Sequence, residues 1–230
     1  MAAQASDADD ASDTDVPFIS LVSPFSKIPP GSAWQTITAK VGPIWNGESL
    51  RGTAIEDLNV LVIEWLQSGS LSTLKAQLIE FINGSMGVLA ARLGNTPNES
   101  VVTRTVELWI FFFSILPTME GCFLPLRSCK EDPDLDVRRL CMRAFRDVVI
   151  LPNLERLSNS LDKWWETRSG GDDGRRIDDI AARILQMLLL LHELHDEKEK
   201  DIGRVLQKLK ESLATYKEDN TSSTINFRAV

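Results

Sequence analysis

The stretch from Leu108 to Leu126, LWIFFFSILPTMEGCFLPL, sets the strongest limit on what this chain can fold into. At 3.6 residues per turn, Trp109, Phe112, Phe113 and Leu116 cover one face of a helix, while Leu108, Phe111 and Ile115 cover much of the other. A helix that is apolar all round is a buried one. Glu107, Pro117 and Glu120 bracket too short an apolar run for a bilayer, which takes about 20 residues. Pro117 is expected to break or kink the helix, and Pro125 to close a short one behind it. The predicted centre of the molecule is thus a helix sunk in a helical core, with nothing in it that can do chemistry.

The remaining apolar residues repeat with the same period. A short helix is expected around Ser32–Val41, carrying Trp34 and Ile37. Thr53 is placed to cap a second, with Ile55, Leu58, Val62, Trp65 and Leu66 in helical register, and Gly69 ends it. Leu74, Leu78, Ile79 and Ile82 mark a third, with a break expected at Asn83-Gly84. Ser100 should begin the central helix, and Asp134 or Asp136 the next, since acids suit a helix N-terminus. A short amphipathic piece follows to Trp165, then a flexible loop at Ser169–Gly174. Two more helices are predicted, about Ile177–His195 and Asp201–Tyr216. No run alternates with period two, so the fold class is all-α: a single irregular bundle of about six to eight helices. Residues 32–217 form the expected helical domain and 218–230 a polar, frayed tail.

Residues 1–31 have a different character. They are acidic, then proline-rich, and should form a disordered leader, because such a composition buries too little apolar surface to offset its ordering. Phe18, Ile19, Leu21 and Phe25 are its docking candidates in extended form. This leader also explains most of the net charge of −8. Asp7, Asp9, Asp10, Asp13 and Asp15 belong to it; without these five, 28 acidic residues face 25 basic ones. A nearly neutral folded part has no bulk field for nucleic acid. Cys122, Cys129 and Cys141 are odd in number and lack CxxC spacing, which suits free thiols in a reducing compartment. With no apolar signal core near Met1, the expected compartment is the cytosol.

No enzyme motif stands out. His192 and His195, with Asp196 and Glu197, are spaced i, i+3, whereas the zinc-protease helix needs i, i+4; a polar helix end is the simpler reading, and no metal or cofactor is expected. There is no nucleophile turn of the Gly-x-Ser-x-Gly kind and no phosphate-cradling glycine loop. The candidate sites are instead partner-binding ones. Arg139, Arg143 and Arg146 fall at i, i+4, i+7 and form one stripe, opposite Leu140, Cys141, Ala144, Val148 and Leu151. That stripe is either a solvated outer face or a basic surface for an acidic partner or anionic headgroups. Trp164 and Trp165 point in different directions on a helix; they either close the core or offer an interface anchor. Ser6 and Ser12, each followed by an acid three residues on, fit acidophilic kinase sites.

Three ordered blocks carry a family resemblance. Trp109 with Phe111-Phe112-Phe113, Ile115-Leu116-Pro117-Thr118 and Phe123…Pro125 form the first. Val137-Arg138, Leu140, Phe145-Arg146 and Ile150-Leu151 form the second, and Ile184, Gln186-Met187-Leu188-Leu189, Leu191 and His195 the third. Together, from about Trp34 to Tyr216, they resemble the HbrB family, which includes the fungal hyperbranching protein and the animal Protor proteins. The resemblance implies a non-catalytic accessory subunit of TOR complex 2. It would bind the Rictor-like scaffold subunit, accompany the TOR kinase, and support signalling in growth, cell polarity and actin organisation. Its place would be the cytoplasm, peripheral at the plasma membrane. The alternative is a helical module that binds anionic lipid through the arginine stripe, independent of any kinase complex.

Overall fold

The computed structural model describes residues 32–50, 52–129, 135–168, 174–194 and 198–226. The leader at 1–31, His195, Asp196 and Glu197 lie outside these residues, as does the loop at 169–173; Gly174 already begins a helix. Among the described residues every regular element is helical: α1 Ser32–Val41, α2 Ile55–Gln67, α3 Leu71–Gly94, α4 Val101–Cys122, α5 Val137–Ala144, α6 Leu154–Arg168, α7 Gly174–His192 and α8 Glu199–Asn226. A π-helical segment, Phe145–Ile150, continues α5, and short 3-10 turns fill most other junctions. The fold is all-α.

α4 is the central element, packed against α2, α3, α5, α6 and α7. Leu108, Trp109, Phe112, Ile115, Leu116 and Met119 are all buried along it. It is not buried all round, however. Glu107, Ile110, Ser114 and Pro117 recur at helical spacing on an open stripe, and Ile110 is 43% exposed. That stripe explains why Pro117 does not end the helix. A proline leaves the carbonyl four residues back without its amide partner, and on this solvent-facing side water can serve it. α4 therefore runs on to Cys122, and Pro125 opens the following 3-10 turn rather than closing a helix. With its preceding turn, the helix Asn98–Cys122 has the length and composition to cross a membrane, contrary to the count of apolar residues alone. Its apolar side is taken up by neighbouring helices.

Two aromatic clusters anchor the bundle. Phe112 stacks on Phe145 of the π segment, with ring centroids 4.3 Å apart and planes 15° apart, and Trp109 lies 5.7 Å from the same ring. Trp34 of α1 stacks on Trp65 of α2 at 4.6 Å and meets Phe81 of α3 edge-on at 5.8 Å. The Trp65 indole donates to Gln77 Oε1 at 3.0 Å, so its polar edge is satisfied within the packing. α2 meets α4 at Gly121, where a Cβ would be in ordinary contact with Ile55, at 3.4 Å.

Several local expectations change. α3 passes through Asn83-Gly84 without a break; Leu74, Leu78, Ile82, Met86, Leu89 and Leu93 keep one buried stripe along its length. Packing outweighs the glycine's weak helix propensity there. Thr53 does not cap α2; its hydroxyl accepts from Lys40 Nζ, and Ala54 holds the cap position without a side-chain bond. Ser70 caps α3 instead, accepting from the Thr73 amide. Asp136 caps α5 as expected, accepting from the amides of Arg138 and Arg139 at 2.9 and 3.3 Å. α8 does not stop near Tyr216 but reaches Asn226.

Candidate interaction surface

The arginine stripe depends on α5 keeping 3.6 residues per turn. It does so only to Ala144, because π turns take i→i+5 bonds and wind more slowly. Arg146, the second residue of that segment, does not join Arg139 and Arg143 on an outer face. It is 1% exposed, and its Nε donates to Asp147 Oδ1 at 2.8 Å. Asp147 in turn accepts from Lys198 Nζ at 2.8 Å, which ties the π segment to the start of α8. Burying a guanidinium costs several kcal/mol unless it is paired, so this carboxylate is part of what makes the position tolerable.

Arg139 is half-buried and donates from Nη2 to the Leu194 carbonyl at 3.3 Å, just beyond the end of α7. A cation suits that end of a helix. Arg143, also half-buried, lines a cleft of about 180 Å³ between α3 and α5, with Ile79, Ile82, Asn83 and Asp147. The three arginines thus serve three separate junctions and do not form a continuous basic strip. The exposed arginine of this region is Arg138. Its Nη1 donates to Glu120 Oε1 at 2.9 Å, and its guanidinium lies 5.3 Å from the Phe113 ring centroid. Arg127 holds the other oxygen of Glu120, also at 2.9 Å.

Trp164 is 5% exposed and belongs mainly to the core. The side chain of Trp165 lies outside the described residues. Trp164 also lines a groove of about 830 Å³ along α6 and the turn at Asn98–Ser100. Asn98, Glu99, Asn159, Lys163 and Arg156 line it with amides and both signs of charge. Arg156 fixes its wall. Nε donates to Asn98 Oδ1 at 2.7 Å, Nη1 to the Leu93 carbonyl at 3.1 Å, and Nη2 to the Thr96 carbonyl. One guanidinium thereby adds donors to carbonyls around the C-terminal end of α3, beside the Thr96 amide that already reaches Leu93, and ties the α3–α4 turn to α6.

Sequence reasoning missed this groove. An isolated Arg156 carries no local signal for contacts about 60 residues away. The His192 ring packs on Gly203 of α8, where a Cβ would come within 3.3 Å of Nε2. The three cysteines are free thiols. Burial pushes Cys122 up to about 11. Burial raises Cys141 further, helped by the nearby carboxylates of Glu120 and Asp136. Neither thiol is a thiolate near neutral pH, as a nucleophile or metal ligand would be.

A family model described as HbrB-like matches residues 28–132. The chain carries an HbrB-like region. That region covers α1 to α4 and the 3-10 turn after it, so the central helix and both aromatic clusters, apart from Phe145, lie within it. The chain is also similar to the target of rapamycin complex 2 subunit bit61 of Schizosaccharomyces pombe. The two are 26% identical over 203 residues, which is 77% of this chain and 47% of the relative. An uncharacterised protein of the same yeast is 27% identical over 127 residues, 47% of this chain and 42% of that protein. The chain spans about half the length of the curated relatives it matches. No solved structure matches it significantly.

Proposed function

We propose that this chain is a non-catalytic accessory subunit of TOR complex 2, binding the large Rictor-like scaffold subunit beside the TOR kinase. The observation that carries the reading is the similarity to the bit61 subunit over 203 residues. In this reading the protein works in the cytoplasm, peripheral at the plasma membrane, and supports signalling in growth, polarity and actin organisation. The α6 groove between Asn98 and Trp164 is the proposed scaffold contact. Its amides can meet a partner's backbone, and its mixed charges suit a polar interface rim. Arg139 and Arg143 form a second pair to test. The buried Arg146 removes one member from any lipid-binding strip, so the scaffold reading is favoured over the lipid one.

Affinity capture of the tagged chain, followed by mass spectrometry, tests this directly. The expected catch is the kinase and a very large scaffold. Asn159→Arg with Lys163→Glu, both at exposed positions, should reduce that catch while the helical spectrum stays intact. Failure of the unaltered chain to recover any TOR component would remove the assignment. Full recovery by the double variant would move the contact elsewhere, with Arg139→Glu/Arg143→Glu as the next variant.

A further inference from the structure

The groove along α6 holds a buried hydroxyl that the fold leaves unserved. Ser160 is 8% exposed and lines the groove, yet its Oγ has no hydrogen-bond partner among the described residues. Its place in a helix does not account for this. Ser85, Thr105, Ser212 and Thr215 each donate to the carbonyl four residues back, and Ser160 does not. A buried hydroxyl without a partner is costly, so one that opens onto a groove suits a ligand's polar group. Two carboxylates stand in the same groove without a cation. Asn98 Oδ1 accepts from Arg156 Nε at 2.7 Å, and Glu99 and Glu155 are the chain neighbours of these two residues. Both acids are exposed, both line the groove, and neither has an ion pair among the described residues. Glu99 stands just before α4 and Glu155 in the first turn of α6, where an acid is favoured. Each helix start supplies roughly half a positive charge, which leaves the pair about one negative charge in excess. The Arg156 guanidinium is directed away from them, at the carbonyls of Leu93, Gly94 and Thr96.

We propose that this groove takes an extended segment of the protein partner, with an arginine side chain set between Glu99 and Glu155 and the segment's backbone bonded to the Ser160 hydroxyl and the Asn159 amide. The inference rests on the α6 groove being the scaffold contact, and it names the chemistry of what docks there. Charge complementarity selects a cation. Arginine is favoured over lysine because its planar fork meets two carboxylates at once. The hydroxyl and the amide select an extended chain, whose N–H and C=O groups are open to pairing. A helix offers little to them, since its backbone groups are bonded within it.

Pentapeptide pools, with the central residue fixed as arginine, lysine, glutamine or glutamate and the others mixed, test this by retention on the immobilised full chain. The arginine pool should be retained most, about tenfold over the glutamine pool. Glu99→Gln with Glu155→Gln should bring arginine down to the glutamine level. Glu99→Lys with Glu155→Lys should reverse the order, so that glutamate leads. Ser160→Ala should lower all four pools alike, by about threefold, because the hydroxyl meets backbone and not the selected side chain. The substituted acids are exposed, and an unchanged far-ultraviolet spectrum confirms that each variant is folded. Equal retention of the four pools would overturn the proposal, as would an arginine preference that the carboxylate variants leave intact. So would full displacement of the arginine pool by equimolar spermine, since the site would then take a free polyamine. The assay uses the chain alone, so it can succeed where capture of TOR components fails, and fail where that capture succeeds.

Discussion

The stack of Phe112 on Phe145 can be tested as a thermodynamic pair. The two rings come from α4 and from the π segment, both are 0% exposed, and their centroids are 4.3 Å apart. Replacing either by leucine keeps an apolar side chain of somewhat smaller volume, so each single change should cost about 1–2 kcal/mol in lost contact and imperfect repacking. The ring–ring term adds about 1 kcal/mol beyond area burial, and it is lost in full with the first substitution. Phe112→Leu/Phe145→Leu should therefore be less destabilised than the two single changes summed, by about 1 kcal/mol. Urea denaturation followed by far-ultraviolet circular dichroism supplies all four stabilities. Additivity within about 0.3 kcal/mol would show that the rings do not touch in solution, and would undo the placement of the π segment on α4.

Phe112→Asp puts a carboxylate into a site with no polar partner, at several kcal/mol, and soluble expression should collapse; a soluble, helical variant would show that the Trp109–Leu116 face is not core. Arg156→Met removes the donors that hold the Leu93 and Thr96 carbonyls and Asn98, at about 2 kcal/mol, with Arg156→Lys recovering only part because a lysine cannot fork. Unchanged melting of Arg156→Met would refute the clip. In the folded protein a thiol reagent should modify Cys129 quickly and spare the buried Cys122 and Cys141 until denaturant is added. Because the Cys122 thiol is raised from its ordinary value of 9.0 to about 11, its contribution to stability is complete below pH 9 and is lost as pH rises toward 11. Alkaline melting curves of Cys122→Ala should accordingly fall less steeply over that window than those of the unaltered chain.

The elements legible in the sequence were those whose signal is local and periodic. The apolar run around Phe112 pointed to the centre of the bundle, Asp136 to the start of α5, and Ser32–Val41 to α1. What failed was local punctuation overruled by tertiary packing. Asn83-Gly84 looked like a stop, but the stripe from Leu74 to Leu93 holds α3 together across it. Pro117 looked like another, but it falls on the open side of α4. Of the candidate site residues, spacing put Arg139, Arg143 and Arg146 on one stripe, whereas the structure half-buries the first two and buries the third, because each is held by a contact that spacing does not encode. The α6 groove was invisible because Asn98 and Arg156 meet only through a long-range contact.

The π segment also bears on how this helix should align with its relatives. A wider turn holds a residue more than the α-helical turn it replaces, so it acts as an insertion absorbed in place while the helix on either side keeps its facing. Removing one residue from Phe145–Ile150 should leave an ordinary helix that still enters α6 at a workable angle, whereas the same deletion in α3 or α4 would rotate everything beyond it by about 100°. Relatives with a regular helix here would then differ from this chain by a one-residue gap between Ala144 and Leu151.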